Sequence, residues 1–270
     1  MARRTSQNRP GRNFRIQVVA FHSSFVISGT PMSSSSPSPR LWTRVSLSAV
    51  RHNFQALKKR LPAETALAAV IKSDAYGHGM VKVARAVCQA GCNHLVVFMP
   101  EEAAILREQG FDNCYIITVG PGEPGQAAEI VGLNLSTSIG CLETAQALDA
   151  AAFAQNTLAR VHLKFDTGMG RFGFRVDAAT LSPILDELVK LKNVCIEGAI
   201  THLSEADEPS SPFTREQLQQ FRNALSMLAE RGIHPRWVHA ANSAGIVHFP
   251  EAAFTLARAG IALYGVYPGP

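Results

Sequence analysis

Leu67-Ala68-Ala69-Val70-Ile71-Lys72-Ser73-Asp74-Ala75-Tyr76-Gly77-His78-Gly79, followed by the amphipathic stretch Met80 to Ala90 and then Gly91, holds one complete structural unit. A short apolar run suits a buried strand, the glycine-punctuated segment suits a loop, and the stretch that closes on glycine suits a helix. The unit recurs. Further strands are expected at 95–98, 114–118, 133–136, 160–165, 195–201, 236–240 and 256–264, which with 67–71 makes eight. Helices are expected at 80–90, 100–109, 142–151, 183–191 and 213–230. Strands alternating with helices imply parallel βαβ units, and eight of them favour a closed (β/α)8 barrel of the TIM type over the alternative, a doubly wound open sheet.

Composition agrees with a globular chain. Of 270 residues, 46% are hydrophobic and 17% charged, which excludes a disordered or collagen-like protein. No run of about twenty apolar residues is present, so no membrane helix is expected. Five cysteines without a CxxC pair or a Cys/His cluster argue against a disulfide scaffold or a metal site and for a reducing, cytoplasmic setting. The net charge of +5 is local: six arginines and no acid fall in residues 1–40, leaving 20 basic against 21 acidic residues in 41–270. The globular part therefore offers no electrostatic basis for nucleic-acid binding.

Residues 1–40 stand apart, Arg-rich and then Ser/Pro-rich. A disordered tail, a targeting peptide and sequence upstream of a true start at Met32 are the three readings. Nothing in the segment can build a core, and deletion of residues 1–31 is expected to leave folding unchanged. The barrel is assigned to 41–270.

In a barrel of this class the chemistry lies in the loops after the strands. Lys72 ends the first strand, where an amine is either snorkelling to water or desolvated for imine formation with a carbonyl cofactor. After the fifth strand, Asp166-Thr167-Gly168-Met169-Gly170-Arg171 is a glycine-dense loop carrying a cation able to fork onto a carboxylate or phenolate. His202 follows the sixth strand. Asn242-Ser243-Ala244-Gly245 and Arg258-Ala259-Gly260-Ile261 follow the seventh and eighth, where such barrels commonly hold a phosphate.

These motifs resemble those of alanine racemases, from Ala69–Gly79 through Asp166–Arg171, His202 and His239–Gly245 to Gly260–Gly265, in family order and over about Leu41 to the C-terminus. The resemblance implies a pyridoxal 5'-phosphate enzyme that interconverts L- and D-alanine for cell-wall peptidoglycan, as a homodimer. It implies that Lys72 carries the cofactor as a Schiff base and acts as one of two proton-transfer bases. Tyr76, Ser243, Gly260 and Ile261 match phosphate-holding positions, with Asn242 beside them. Arg258 matches the arginine facing the pyridine nitrogen, with His202 behind it, and Arg171 the arginine near the substrate carboxylate. Lys164 matches a lysine that is often carbamylated.

The family continues into a second, mainly β domain that carries the opposite-face base, whereas this sequence stops at Pro270. The expectation is a truncated form with little activity alone. Two alternatives stay open, a single-barrel pyridoxal-phosphate carrier without racemase activity and a racemase for larger amino acids. Ser46, Ser48 and Ala259 depart from residues common in the family.

Overall fold

The computed structural model describes residues 16–17 and 44–269, which form nine strands with helices between them. They are β1 (Ala66–Val70), β2 (His94–Val97), β3 (Tyr115–Thr118), β4 (Ser136–Ile139), β5 (Ala159–Asp166), β6 (Phe174–Arg175), β7 (Val194–Ile200), β8 (Trp237–His239) and β9 (Leu256–Ala259). The sheet runs β8-β7-β5-β4-β3-β2-β1-β9, all parallel, with the two-residue β6 branching from β5. Pairing of β1 with β9 brings the last strand beside the first, and backbone bonds from there to the β8 segment exclude the open-sheet alternative. At the last seam, Thr255 N–H donates to Val238 O (3.1 Å) and Arg258 N–H to Ala241 O (3.0 Å), which closes the barrel.

Side chains two apart on a strand share a face, and the barrel sorts them accordingly. Leu67, Ala69, Leu95, Ile116, Val161, Leu163 and Phe165 join the core beneath the helices. Ala68, Val70, Val96, Ile117, Trp237 and Leu256 make a separate apolar cluster inside the barrel. The inner faces of β4, β5, β7 and β8 are instead polar, with Ser136, His162, Glu197 and His239 joined in contacts across the lumen.

This polar wall accounts for one displaced strand. The run at 133–136 was expected to be β4, but the strand is Ser136–Ile139, built on Ser-Thr-Ser. These residues are buried, and Thr118 Oγ1 donates to Thr137 Oγ1 at 2.8 Å. Leu133 instead caps a six-residue helix (Ala127–Gly132) that hydropathy did not single out. The run at 256–264 divides into β9 and a 3-10 turn, Ile261–Tyr264. The helix expected at 183–191 begins earlier, at Ala178, where Asp177 caps Thr180 N–H, and Pro183 lies within it. The helix Leu47–Lys58 is capped by Ser46, whose Oγ accepts from Ala49 N–H at 3.3 Å, so serine serves at that departure from the family.

Except for Ile16 and Gln17, the Arg-rich and Ser-rich segment lies outside the described residues. Those two dock on the barrel. Gln17 N–H donates to Asn53 Oδ1 (2.7 Å), and the buried Asn53 amide donates to Gln17 O (2.8 Å) and Leu263 O (3.1 Å). Ile16 packs against the core. Hydrophobic periodicity cannot reveal such an anchor, because backbone groups make most of it.

All five cysteines are free, and among the described residues no helix is long and apolar enough to cross a membrane.

The Phe213–Ala229 helix is fastened by Phe221, whose ring lies 6.1 Å from that of Phe165 on β5 and 5.5 Å from Phe254. Phe221→Ala leaves a cavity in a fully buried position and is expected to lower the unfolding free energy by about 3–5 kcal/mol. Urea unfolding measures it, and a loss below about 1 kcal/mol would contradict this packing.

Candidate active site

Strand ends on the carboxyl side of the barrel open into a cavity of about 310 Å³. Lys72, Tyr76, Lys164, Arg171, His202, Asn242, Ser243, Arg258, Gly260 and Ile261 all line it, so every site residue singled out in the sequence reaches one place.

The backbone after β1 is the least ordinary part. Ser73, Asp74, Ala75 and Tyr76 have φ of 51–55°, a left-handed helical turn of non-glycine residues. Each such residue costs roughly 1–2 kcal/mol, so its surroundings must hold the turn. Ala75 N–H donates to Ile71 O (2.8 Å) and Gly79 N–H to Asp74 O (3.0 Å), while Asp74 Oδ1 accepts Met80 N–H (2.7 Å) and starts the next helix. Glu102 clamps the turn from outside: its carboxylate accepts Ser73 N–H (2.5 Å) and Phe98 N–H (2.6 Å). Tyr264 Oη donates to Val70 O (2.7 Å), and its ring lies 5.1 Å from that of Tyr76. One helical turn separates Lys72 from Tyr76, and both face the cavity. Burial lowers the Lys72 amine below its ordinary pKa and Arg171 adds to the effect, against an opposing pull from Glu102.

In the glycine-dense loop after β5, the Asp166 carboxylate accepts the N–H groups of Gly168 (3.1 Å), Gly170 (3.1 Å) and Arg171 (3.2 Å). Burial alone would raise Asp166, but the amides of Gly168, Gly170 and Met169 together with the Lys164 charge outweigh it and hold the carboxyl low. Gly173, at φ +130°, passes so close to β5 that a Cβ would stand 2.7 Å from Lys164 O. Lys164 is buried, donates to Phe165 O (3.0 Å) and Phe172 O (3.3 Å), and is pushed down to about 8, chiefly by burial.

Arg258 is 4% exposed. Its NH1 donates to His239 Nδ1 (3.0 Å) and His239 O (3.0 Å), and its NH2 to Thr201 O (2.9 Å) and Ala240 O (3.2 Å). His202 Nδ1 lies at 3.5 Å, so His239, quoted in the sequence only as part of a motif, is the nearer imidazole. Burial, followed by Arg258, drives His202 down to about 3, so it is neutral. Opposite, Ser243 Oγ accepts the N–H groups of Gly260 (2.9 Å) and Ala262 (3.2 Å) and ties the loops after β8 and β9 together. Asn242 caps the short helix Ser243–His248 through Gly245 N–H (2.9 Å). A Cβ on Gly260 would stand 3.4 Å from Tyr76 Oη and 3.6 Å from Ser243 Oγ, so the glycine keeps a hollow open between two hydroxyls.

Glu102 and Tyr264 support the site through backbone atoms, and no spacing rule reveals that role. Glu102→Ala is expected to speed hydrogen exchange at Ser73 and Phe98 while leaving Leu95, inside β2, protected. Unchanged exchange at Ser73 would show that the clamp is dispensable.

Residues 45–268 match the family described as alanine racemase, N-terminal domain. The alanine racemase of Symbiobacterium thermophilum is 43% identical over 229 residues, which cover 85% of this chain and 60% of that protein. The solved alanine racemase of Clostridium difficile 630 superposes with a TM-score of 0.78 at 33% identity, over 82% of this chain and 57% of that one. That of Streptomyces coelicolor gives 0.76 at 38%, over 83% and 60%. The chain thus spans about 60% of the length of the relative from Symbiobacterium. With the family's N-terminal domain matched from residue 45 to residue 268, the chain belongs to the alanine racemases.

Proposed function

We propose that the barrel carries pyridoxal 5'-phosphate on Lys72 and uses it to move the Cα proton of alanine, interconverting the L and D forms. The observation that carries this reading is the meeting of a desolvated lysine, a sealed arginine and a glycine-kept hollow in one cavity. The residues fit the group. The hollow at Gly260, flanked by the Tyr76 and Ser243 hydroxyls, suits a phosphate. Arg258 suits the ring nitrogen, because it can only donate and yields its proton reluctantly. When bound, the cofactor supplies an electron sink that acidifies Cα.

Lys72 supplies a base on one face of the substrate. A depressed pKa raises the fraction of free amine able to take a proton. Arg171 orients the substrate carboxylate, held by the Asp166 clamp on its own backbone. Racemisation needs a base on each face, and Lys72 is the one assigned within these residues. The setting proposed is cytoplasmic, the product serves peptidoglycan, and the partner is a second copy of the chain.

Borohydride reduction with peptide mapping is expected to fix the cofactor on Lys72. In deuterium oxide the 270-residue protein is expected to exchange the α-proton of D-alanine with little inversion, a loss of about 10²–10⁴ in rate against a two-base enzyme. Labelling elsewhere would reject the lysine, and fast racemisation would reject the one-base assignment.

Lys164 lies near the substrate arginine and is proposed to take up carbon dioxide as a carbamate, which only the neutral amine can form. With its pKa pushed down to about 8, neutral amine is scarce below that pH and abundant above it. Carbamate, followed by ¹³C NMR with labelled bicarbonate, is expected to rise as pH increases from about 7 to 9. A pH-independent or absent signal would remove Lys164 from this role.

A further inference from the structure

Behind Arg258 the barrel interior holds a chain of polar side chains that the proposed chemistry does not touch. His239 Nε2 lies 2.7 Å from His162 Nδ1, His162 Nε2 faces Glu197 Oε1 at 3.5 Å, and Glu197 accepts a hydrogen bond from Ser136 Oγ. His162 and His239 are fully buried. Among the described residues His162 Nε2 makes no hydrogen bond, and the Glu197 carboxylate at 3.5 Å is the group it faces. The His162 ring lies over Gly198, its neighbour across the β5–β7 ladder, where a Cβ would come within 2.3 Å of the ring.

The protons in this chain can be placed one after another. Arginine only donates, so His239 Nδ1 must present its lone pair to Arg258. Burial and the adjacent Arg258 hold His239 well below its ordinary pKa, so the ring is neutral and its single proton sits on Nε2. That proton points at His162 Nδ1, which must then be a lone pair as well. His162 is also pushed towards neutrality by burial, so its proton sits on Nε2, facing Glu197. Burial would raise Glu197, but the contacts from His162 and Ser136 outweigh it and keep the carboxyl low. Every proton points away from Arg258. A buried cation and a partly buried carboxylate are thus joined through two neutral imidazoles.

We propose that Glu197 and His162 are positioning residues, which through His239 hold the Arg258 guanidinium in one orientation as a donor at the cavity wall. The inference rests on the reading that Arg258 faces the cofactor ring. Of the guanidinium groups, NH1 and NH2 are occupied by protein acceptors, while Nε has no hydrogen-bond partner among the described residues. With the other two nitrogens anchored, Nε–H is the donor left for a ligand. If the chain ran the other way, His239 would carry its proton on Nδ1 and aim it at an Arg258 N–H. The two donors would repel, and the guanidinium would lose one of its anchors.

Histidine ¹⁵N–¹H spectra of the full 270-residue protein read the chain directly, with peaks assigned by His162→Asn and His239→Asn. In the parent protein both rings are expected as Nε2–H tautomers, and either ring found as Nδ1–H would overturn the proposal without any Glu197 variant. Glu197→Gln keeps the volume but has an amide that can donate to His162. It is expected to mix or reverse the tautomers, shift the absorbance of bound pyridoxal phosphate and weaken its binding on the order of tenfold. Glu197→Asp, which keeps the charge, should restore the parent tautomers. A Glu197→Gln protein with parental spectra and affinity would overturn the role, whatever its melting temperature. Failure of the parent to bind pyridoxal phosphate would instead reject the cofactor reading and with it the purpose of the chain, while the histidine spectra would still report its protons.

Discussion

A guanidinium sealed inside the barrel has to be met by acceptors on every side, and most of the site follows from meeting Arg258. An unpaired buried charge costs several kcal/mol, and no carboxylate touches this one among the described residues. Instead it collects carbonyl oxygens from Thr201, His239 and Ala240, at the ends of β7 and β8. These bonds cross the seam where β8 and β9 share few ladder bonds, so the cation helps close the barrel that contains it. Carbonyl groups can serve here because strand ends leave them unpaired, and only arginine has enough donors to reach several at once.

Charge around the cavity follows a single logic. Lys72, Lys164, Arg171 and Arg258 line it against one acid, Asp207. The carboxylates that might neutralise the site are turned to backbone amides, Asp166 to its loop and Glu102 to the turn after β1. Burial and mutual repulsion then depress the two lysines. The result is a rim whose positive charge favours anions and whose lysine amines are held below their ordinary pKa.

Fold class was legible because each apolar run and each amphipathic stretch repeats one unit, and the loop rule pointed to the cavity residues that follow strands, whereas Lys164, inside β5, was marked only by the family resemblance. Polar strands defeat hydropathy, which is why β4 was placed three residues early on Leu133 rather than on Ser136-Thr137-Ser138. The 3-10 turn of Ile261–Tyr264 reads as strand because Ile-Ala-Leu-Tyr is an unbroken apolar run, although Ile261 is exposed and only the other three residues are buried. Glu102 was illegible for another reason: its work is done on two amides from different loops, and no side-chain motif records that. His162 and Glu197 belong to strands whose outward residues carried the pattern. Their partners are fixed only when β5, β7 and β8 come together.

The left-handed turn at Ser73–Tyr76 shows how these parts depend on one another. Such a turn is unfavourable by several kcal/mol in isolation, so it exists only where the fold over-determines it. Glu102 holds its start, Asp74 its end, and Tyr264 the strand beneath it. Tyr264 is itself placed by the chain that leaves Arg258 and passes through Gly260, whose N–H bonds Ser243. Lys72 therefore stands between two fixed points. The strained turn follows it, and the ladder bond from Ile71 N–H to Val96 O (2.8 Å) precedes it. A long, flexible side chain ordinarily loses precision through its backbone as well as its rotamers. Here the backbone contribution is removed, so the position of the amine is set by the rotamers of its own stem alone.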